Sequence, residues 1–156
     1  MNRISNRATL VALTIMATSP ASAQNVEAWD TGAALMNGCR AAVADEMRNN
    51  GDFVRARANC EAAQERISST YAELAPLSAE DTSHRDFLLS LVYFTRALLT
   101  SDNDQMTQQG CEFARLSIAM QDGGTIFIQQ EIDMLQQSRR ILTSQIIPEC
   151  NARFGN

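Results

Sequence analysis

The sequence predicts an all-α domain of about five antiparallel helices, a helical-hairpin stack or bundle stapled by two disulfides. Three observations carry that expectation. Apolar residues recur at steps of three and four along most of the chain. Clusters of Asn, Asp, Gly and Pro cut it into pieces of helical length. No segment reads as a strand, and the four cysteines, Cys39, Cys60, Cys111 and Cys150, fall within or just beyond the helical pieces.

The first helix is predicted from about Val26 to Arg48, with Trp29, Ala33, Met36, Cys39, Val43 and Met47 on one face. Asn49-Asn50-Gly51-Asp52 stops it and turns the chain. The second carries Phe53, Ala56, Cys60, Ala63, Ile67, Thr70 and Leu74 and ends at Pro76. Either Ser78 with Asp81 or Ser83 with Asp86 could cap the third, because a hydroxyl followed three residues on by a carboxylate suits the free amides of a helix start. To about Thr100 that helix is apolar nearly all round, so it belongs in the middle of the domain. Ser101-Asp102-Asn103-Asp104 is the next break and doubles as an acidic cap. The fourth helix places Met106, Phe113, Leu116 and Met120 on one side, and Gly123-Gly124 terminates it. The fifth, from Thr125 to Ile147, shows Ile128, Ile132, Leu135, Leu142 and Ile146 in one stripe. Pro148 closes it, leaving a short tail with Cys150.

Ahead of these helices, residues 1–23 read as a secretory signal peptide. Arg3 and Arg7 form its basic start, residues 8–17 its apolar stretch, and Ala21-Ser22-Ala23 its cleavage site. The mature domain is then 24–156, exported to the periplasm of a Gram-negative cell or otherwise secreted, where cysteines oxidise. Removing 23 residues from 156 leaves 133, enough for one domain with a real core. The two signal arginines leave with it, so 11 arginines face 18 acidic residues, a balance of −7. That disfavours nucleic acid and anionic membranes and suits a neutral or basic protein partner. Beyond the signal no apolar run approaches the ~18–20 residues that span a bilayer, so membrane insertion is not expected. All basic residues are arginine, scattered rather than clustered, which fits coding bias better than selection for anion recognition.

Cys39 and Cys60 lie about ten residues either side of the Asn49-Asn50 turn, so in an antiparallel hairpin they sit level. A Cys39–Cys60 bond would staple the first two helices. Cys111 and Cys150 then pair by elimination. Across the Gly123-Gly124 turn the level partner of Cys111 would be near Gln136, so Pro148 must bend the tail back to the fourth helix. Otherwise the tail crosses to a different helix. With no Cys-x-x-Cys, structural disulfides outweigh redox or metal roles.

The stretch Gly51-Asp52-Phe53-x-x-Ala56-x-x-x-Cys60-x-x-Ala63 resembles the second helix of a tetratricopeptide repeat, in which small residues let two helices approach closely. Cysteine stands where that family prefers a large aromatic, and Arg40 where it prefers Trp. The likeness is best over residues 40–67. Cys111-Glu112-x-Ala114 repeats the tetrad of Cys60 faintly, 51 residues on, against the roughly 34 of that repeat. The resemblance implies a stack of helical hairpins that works by protein binding.

Catalytic chemistry is thin. His84 is the only histidine and is expected as a solvated residue beside a helix start, and Glu80, Asp81 and Asp86 as capping carboxylates. No catalytic constellation, metal site or cofactor site is assigned; the methionines read as core. Gln108-Gln109, Gln129-Gln130 and Gln136-Gln137 give the fourth and fifth helices an uncharged polar surface. Gln129, Gln130, Gln136, Gln137 and Arg140 are the candidate binding residues, because interface centres are depleted in charge. The expected function is an exported adaptor or scaffold module with no catalytic chemistry of its own. The alternative is an immunity or inhibitor protein that neutralises a secreted toxin or envelope enzyme.

Overall fold

The computed structural model describes residues 26–102, 105–123 and 129–155. Residues 1–25, with the stretch expected to be a signal peptide and its cleavage site, and residues 103–104, 124–128 and 156 lie outside the described residues. The chain runs α1 (Val26–Arg48), α2 (Val54–Glu73), α3 (Ala79–Leu99), β1 (Ser101–Asp102), β2 (Gln105–Met106), α4 (Gln108–Gly123), α5 (Gln129–Ile141), a π-helical turn (Leu142–Ile146) and α6 (Ile147–Phe154). Among the described residues the fold is all-α, five helical rods in sequence, because α5, the π turn and α6 are continuous. The two two-residue strands were not expected; they pair Ser101 with Met106 and fold α3 back onto α4.

Each hairpin closes by its own chemistry. After α1, Asn50 takes the left-handed conformation at φ 50° and the Gly51 amide bonds the Glu46 carbonyl at 2.8 Å. Phe53, at φ 62° and itself half-buried against the core, opens α2 without a side-chain cap. Glu46 supplies one from α1: its Oε1 accepts the Ala56 N–H at 3.0 Å. Ala56, Cys60, Ala63, Ile67 and Tyr71 are the only buried residues of α2. Small side chains on that stripe let α2 lie close to α1, where Cys39 and Cys60 are bonded with Cα atoms 4.5 Å apart.

Of the two possible caps for α3, Ser78 is the one used. Its hydroxyl accepts the Asp81 N–H at 3.0 Å and donates to Asp81 Oδ2 at 2.8 Å. The helix is the hub of the molecule, with Phe87, Leu88, Leu89, Leu91, Val92 and Phe94 all buried. Each contributes about 1.5–3 kcal/mol by leaving water. A Cβ at Gly32 of α1 would run into Leu88 Cδ1, so glycine there permits the close approach of α1 to α3. At the far end of α3 the Leu99 carbonyl accepts from Arg57 of α2 at 2.9 Å.

Helix α4 is capped by Thr107, whose hydroxyl accepts the Gly110 N–H at 3.1 Å and donates to the Thr100 carbonyl at 2.7 Å. The acidic break before it was expected to serve instead. Threonine wins because it sits at the N-cap position itself, one residue ahead of Gln108.

The C-terminal third departs most from expectation. Pro148 does not end the fifth helix. The π turn ahead of it carries a five-residue hydrogen bond, Ile147 N–H to Leu142 O, and Pro148 follows directly, where this shift in backbone register lets the helix run on past the ring. The hairpin of α4 with α5–α6 is also centred further along the chain than the glycine pair. Gln121 Nε2 meets Ser138 Oγ at 3.2 Å, Arg139 pairs with Asp122 at 2.6 Å, and Cys111 is bonded to Cys150. All three pairs centre near residue 130. The first turns of α5 therefore overshoot the end of α4, and Met134 and Leu135 join the core built from α1, α2 and α3. The second core cluster, Phe94, Ala97, Met106, Cys111, Phe113, Ala114, Leu142, Ile146 and Cys150, lies at the opposite end.

Candidate functional site

The surface that the sequence singles out is an outward arc of α5. Gln129, Gln130, Gln136 and Arg140 are exposed and Gln137 is half-buried, while Glu131, Met134, Leu135 and Ser138 face inward. The helical repeat places all five on one side with exposed Asp133 among them, and Gln129 Nε2 donates to Asp133 Oδ1 at 2.8 Å. Gln108 and Gln109 do not join them. They sit at the start of α4 beside the Cys111–Cys150 bond, and Cys150 is about 20 Å along the helix from Gln136 at 1.5 Å per residue. Arg139, exposed beside the arc, closes an exposed ion pair with Asp122 on α4.

A second grouping is buried and was not expected. It forms where α1, α3 and α5 begin and α2 ends. Trp29 Nε1 donates to Asp81 Oδ1 at 2.8 Å, and Ser78 donates to Asp81 Oδ2 at 2.8 Å. The His84 ring meets the Trp29 indole edge-on at a centroid distance of 4.1 Å and lies 6.1 Å from Phe87. Tyr71 closes the group beside Gly32, and Glu131 of α5 is near enough to act on its hydroxyl.

His84 is thus corrected from a solvated capping residue to a core residue, 4 % exposed. Burial pushes its imidazole from 6.5 down to about 4, opposed by the charge of Asp81. The Tyr71 hydroxyl is pushed above the ordinary phenol range by burial first, then by Asp81 and Glu131, with Arg85 acting the other way. The signal was present in the chain. His84 stands four residues before Leu88 and seven before Leu91, in register with the stripe of α3. A polar residue type in a core register is easily taken for a surface one.

The group lacks the alignment of a nucleophile, a base and an orienting acid. Nδ1 of His84 and Oη of Tyr71 have no hydrogen-bond partner among the described residues, and the Asp81 oxygens accept from Trp29 and Ser78. Among the described residues no group of three or more His, Cys, Asp or Glu is placed to hold a metal ion. Nor, among them, is any helix long and apolar enough to cross a membrane. The two buried disulfides suit an oxidising compartment. Comparison with protein-family models, with curated proteins and with solved structures finds no match to this chain.

Proposed function

We propose that the protein is exported and works by binding a neutral or basic protein, with no catalytic chemistry of its own. The observation that carries this reading is the α5 arc. Four of its five candidate residues stand in solvent, uncharged but for Arg140, on a helix held to the core through Met134 and Leu135. A rigid helix face of this kind loses little conformational entropy on docking. The close α1–α2 hairpin supports a tetratricopeptide-like frame, and the acidic balance of the mature chain supports a basic partner.

A photo-crosslinking residue at Gln136, with Glu65 on the exposed face of α2 as control, tests it in the native cell envelope. One discrete protein adduct is expected from position 136 and none from 65, and Gln129→Glu with Gln130→Glu should weaken it several-fold. Equal labelling from both positions, or none from 136, overturns the reading. The identity of the adduct separates an adaptor from an inhibitor of a toxin or envelope enzyme.

A further inference from the structure

We propose that the end of the bundle where α1, α3 and α5 begin is an acid-released latch. Neutral His84 keeps the first turns of α1 and α5 closed on α3, and protonated His84 lets them detach. This stands whether or not the α5 arc binds a protein.

A neutral imidazole can leave Nδ1 without a proton, but an imidazolium carries one on each nitrogen. Nδ1 has no partner among the described residues, so charging the ring puts an unpaired donor between Trp29 and Phe87. The ionisable groups around it are Asp81, Arg85 and Asp86 on α3, Tyr71 from α2 and Glu131 from α5. On α1 the groups flanking Trp29, Glu27 and Asp30, are exposed. Asp81 is the one whose charge acts on His84, and it does not offset the burial.

The molecule is also asymmetrically tied. Both disulfides lie away from this end: Cys39–Cys60 ties α1 ten residues beyond Trp29, and Cys111–Cys150 closes the opposite core. Two of the four buried side-chain atoms without a partner among the described residues, on Tyr71 and His84, are in this grouping. Trp29 is in the first turn of α1, and helix ends open at a small fraction of the global unfolding free energy. Relief of a buried charge there is local. With the ring at about 4 when closed and 6.5 when solvated, the open population rises on the order of 100-fold between pH 7 and pH 4.

The protein has one tryptophan and one histidine, so each side of the latch reports alone. The oxidised protein is titrated from pH 7 to 3.5 while the His84 ring is followed by NMR, Trp29 by emission and helix content by circular dichroism. The expected result is an imidazole that titrates well below 6.5 in step with a red shift of Trp29, most helix being retained. In His84→Phe the emission should stay blue at pH 4. Titration near 6.5, a Trp29 spectrum indifferent to His84, loss of helix in the same step, or the same red shift in His84→Phe each overturns the proposal. The last would assign the change to Asp81 or Glu131. Should His84→Phe not fold, hydrogen exchange of the wild type decides. At pH 4 the amides of residues 28–36 should exchange faster, relative to intrinsic rates, with those beside Cys111 and Cys150 unchanged; a uniform increase overturns the latch.

Discussion

Tyr71 shows how much one atom can matter in a domain of this size. The side chain is 1 % exposed and fills the space beside Gly32, yet its hydroxyl has no partner among the described residues. An unmet buried donor costs about 1–3 kcal/mol, so Tyr71→Phe is expected to raise stability by about 1 kcal/mol in urea unfolding. The pH dependence follows from the same burial. The folded phenol is held above its ordinary value of about 10, so its contribution is intact below that value and is lost as pH rises through the folded one. Tyr71→Phe should flatten the alkaline limb of stability. A variant that loses 1 kcal/mol or more at pH 7 would show that the hydroxyl is satisfied after all.

Helix ends are where side chains of one element finish another. Phe53 offers α2 no cap, and Glu46, 6 % exposed on α1, reaches across to the Ala56 amide with Oε1, the same oxygen that Arg55 Nε approaches to 3.5 Å. Glu46→Ala should cost about 1–2 kcal/mol, the usual loss for a removed N-terminal acceptor. Glu46→Gln keeps an acceptor oxygen and should cost clearly less; equal losses would mean that the charge beside Arg55, not the cap, is what α2 needs. Periodicity made α1 legible to the residue, and residue type made the Asn-rich turn legible and narrowed the α3 cap to Ser78 or Ser83, between which only the structure chose. The run through Pro148 was not. Proline rules describe an ordinary α-helix, and the π turn at Leu142–Ile146 changes the backbone around the ring.

Across the whole molecule the two disulfides divide the labour. They close loops of 21 and 39 residues, for which chain entropy alone gives roughly 3 and 4 kcal/mol. Replacing Cys111 and Cys150 by alanine should therefore cost more in urea unfolding than replacing Cys39 and Cys60. The reverse order would mean that packing between α1 and α2, rather than loop closure, decides. The Cys111–Cys150 bond also holds α6, which Glu149 and Arg115 pin further through the Met106 amide, Asn151 and the Gly155 carbonyl.

The all-helical class, the hub role of the third helix and the level Cys39–Cys60 pair follow from the chain alone, because each depends on spacing within one helix or across one short turn. The α5 arc is of the same kind, since a helical repeat suffices to put Gln129, Gln136 and Arg140 on one side. Only tertiary structure decided the offset of the last hairpin, since where α5 meets α4 is set by packing of Met134 and Leu135 on the first three helices. It alone also buried His84. Whether a polar ring at a helix start faces water or core depends on what neighbouring helices bring to it, here the Trp29 indole from a segment 55 residues away.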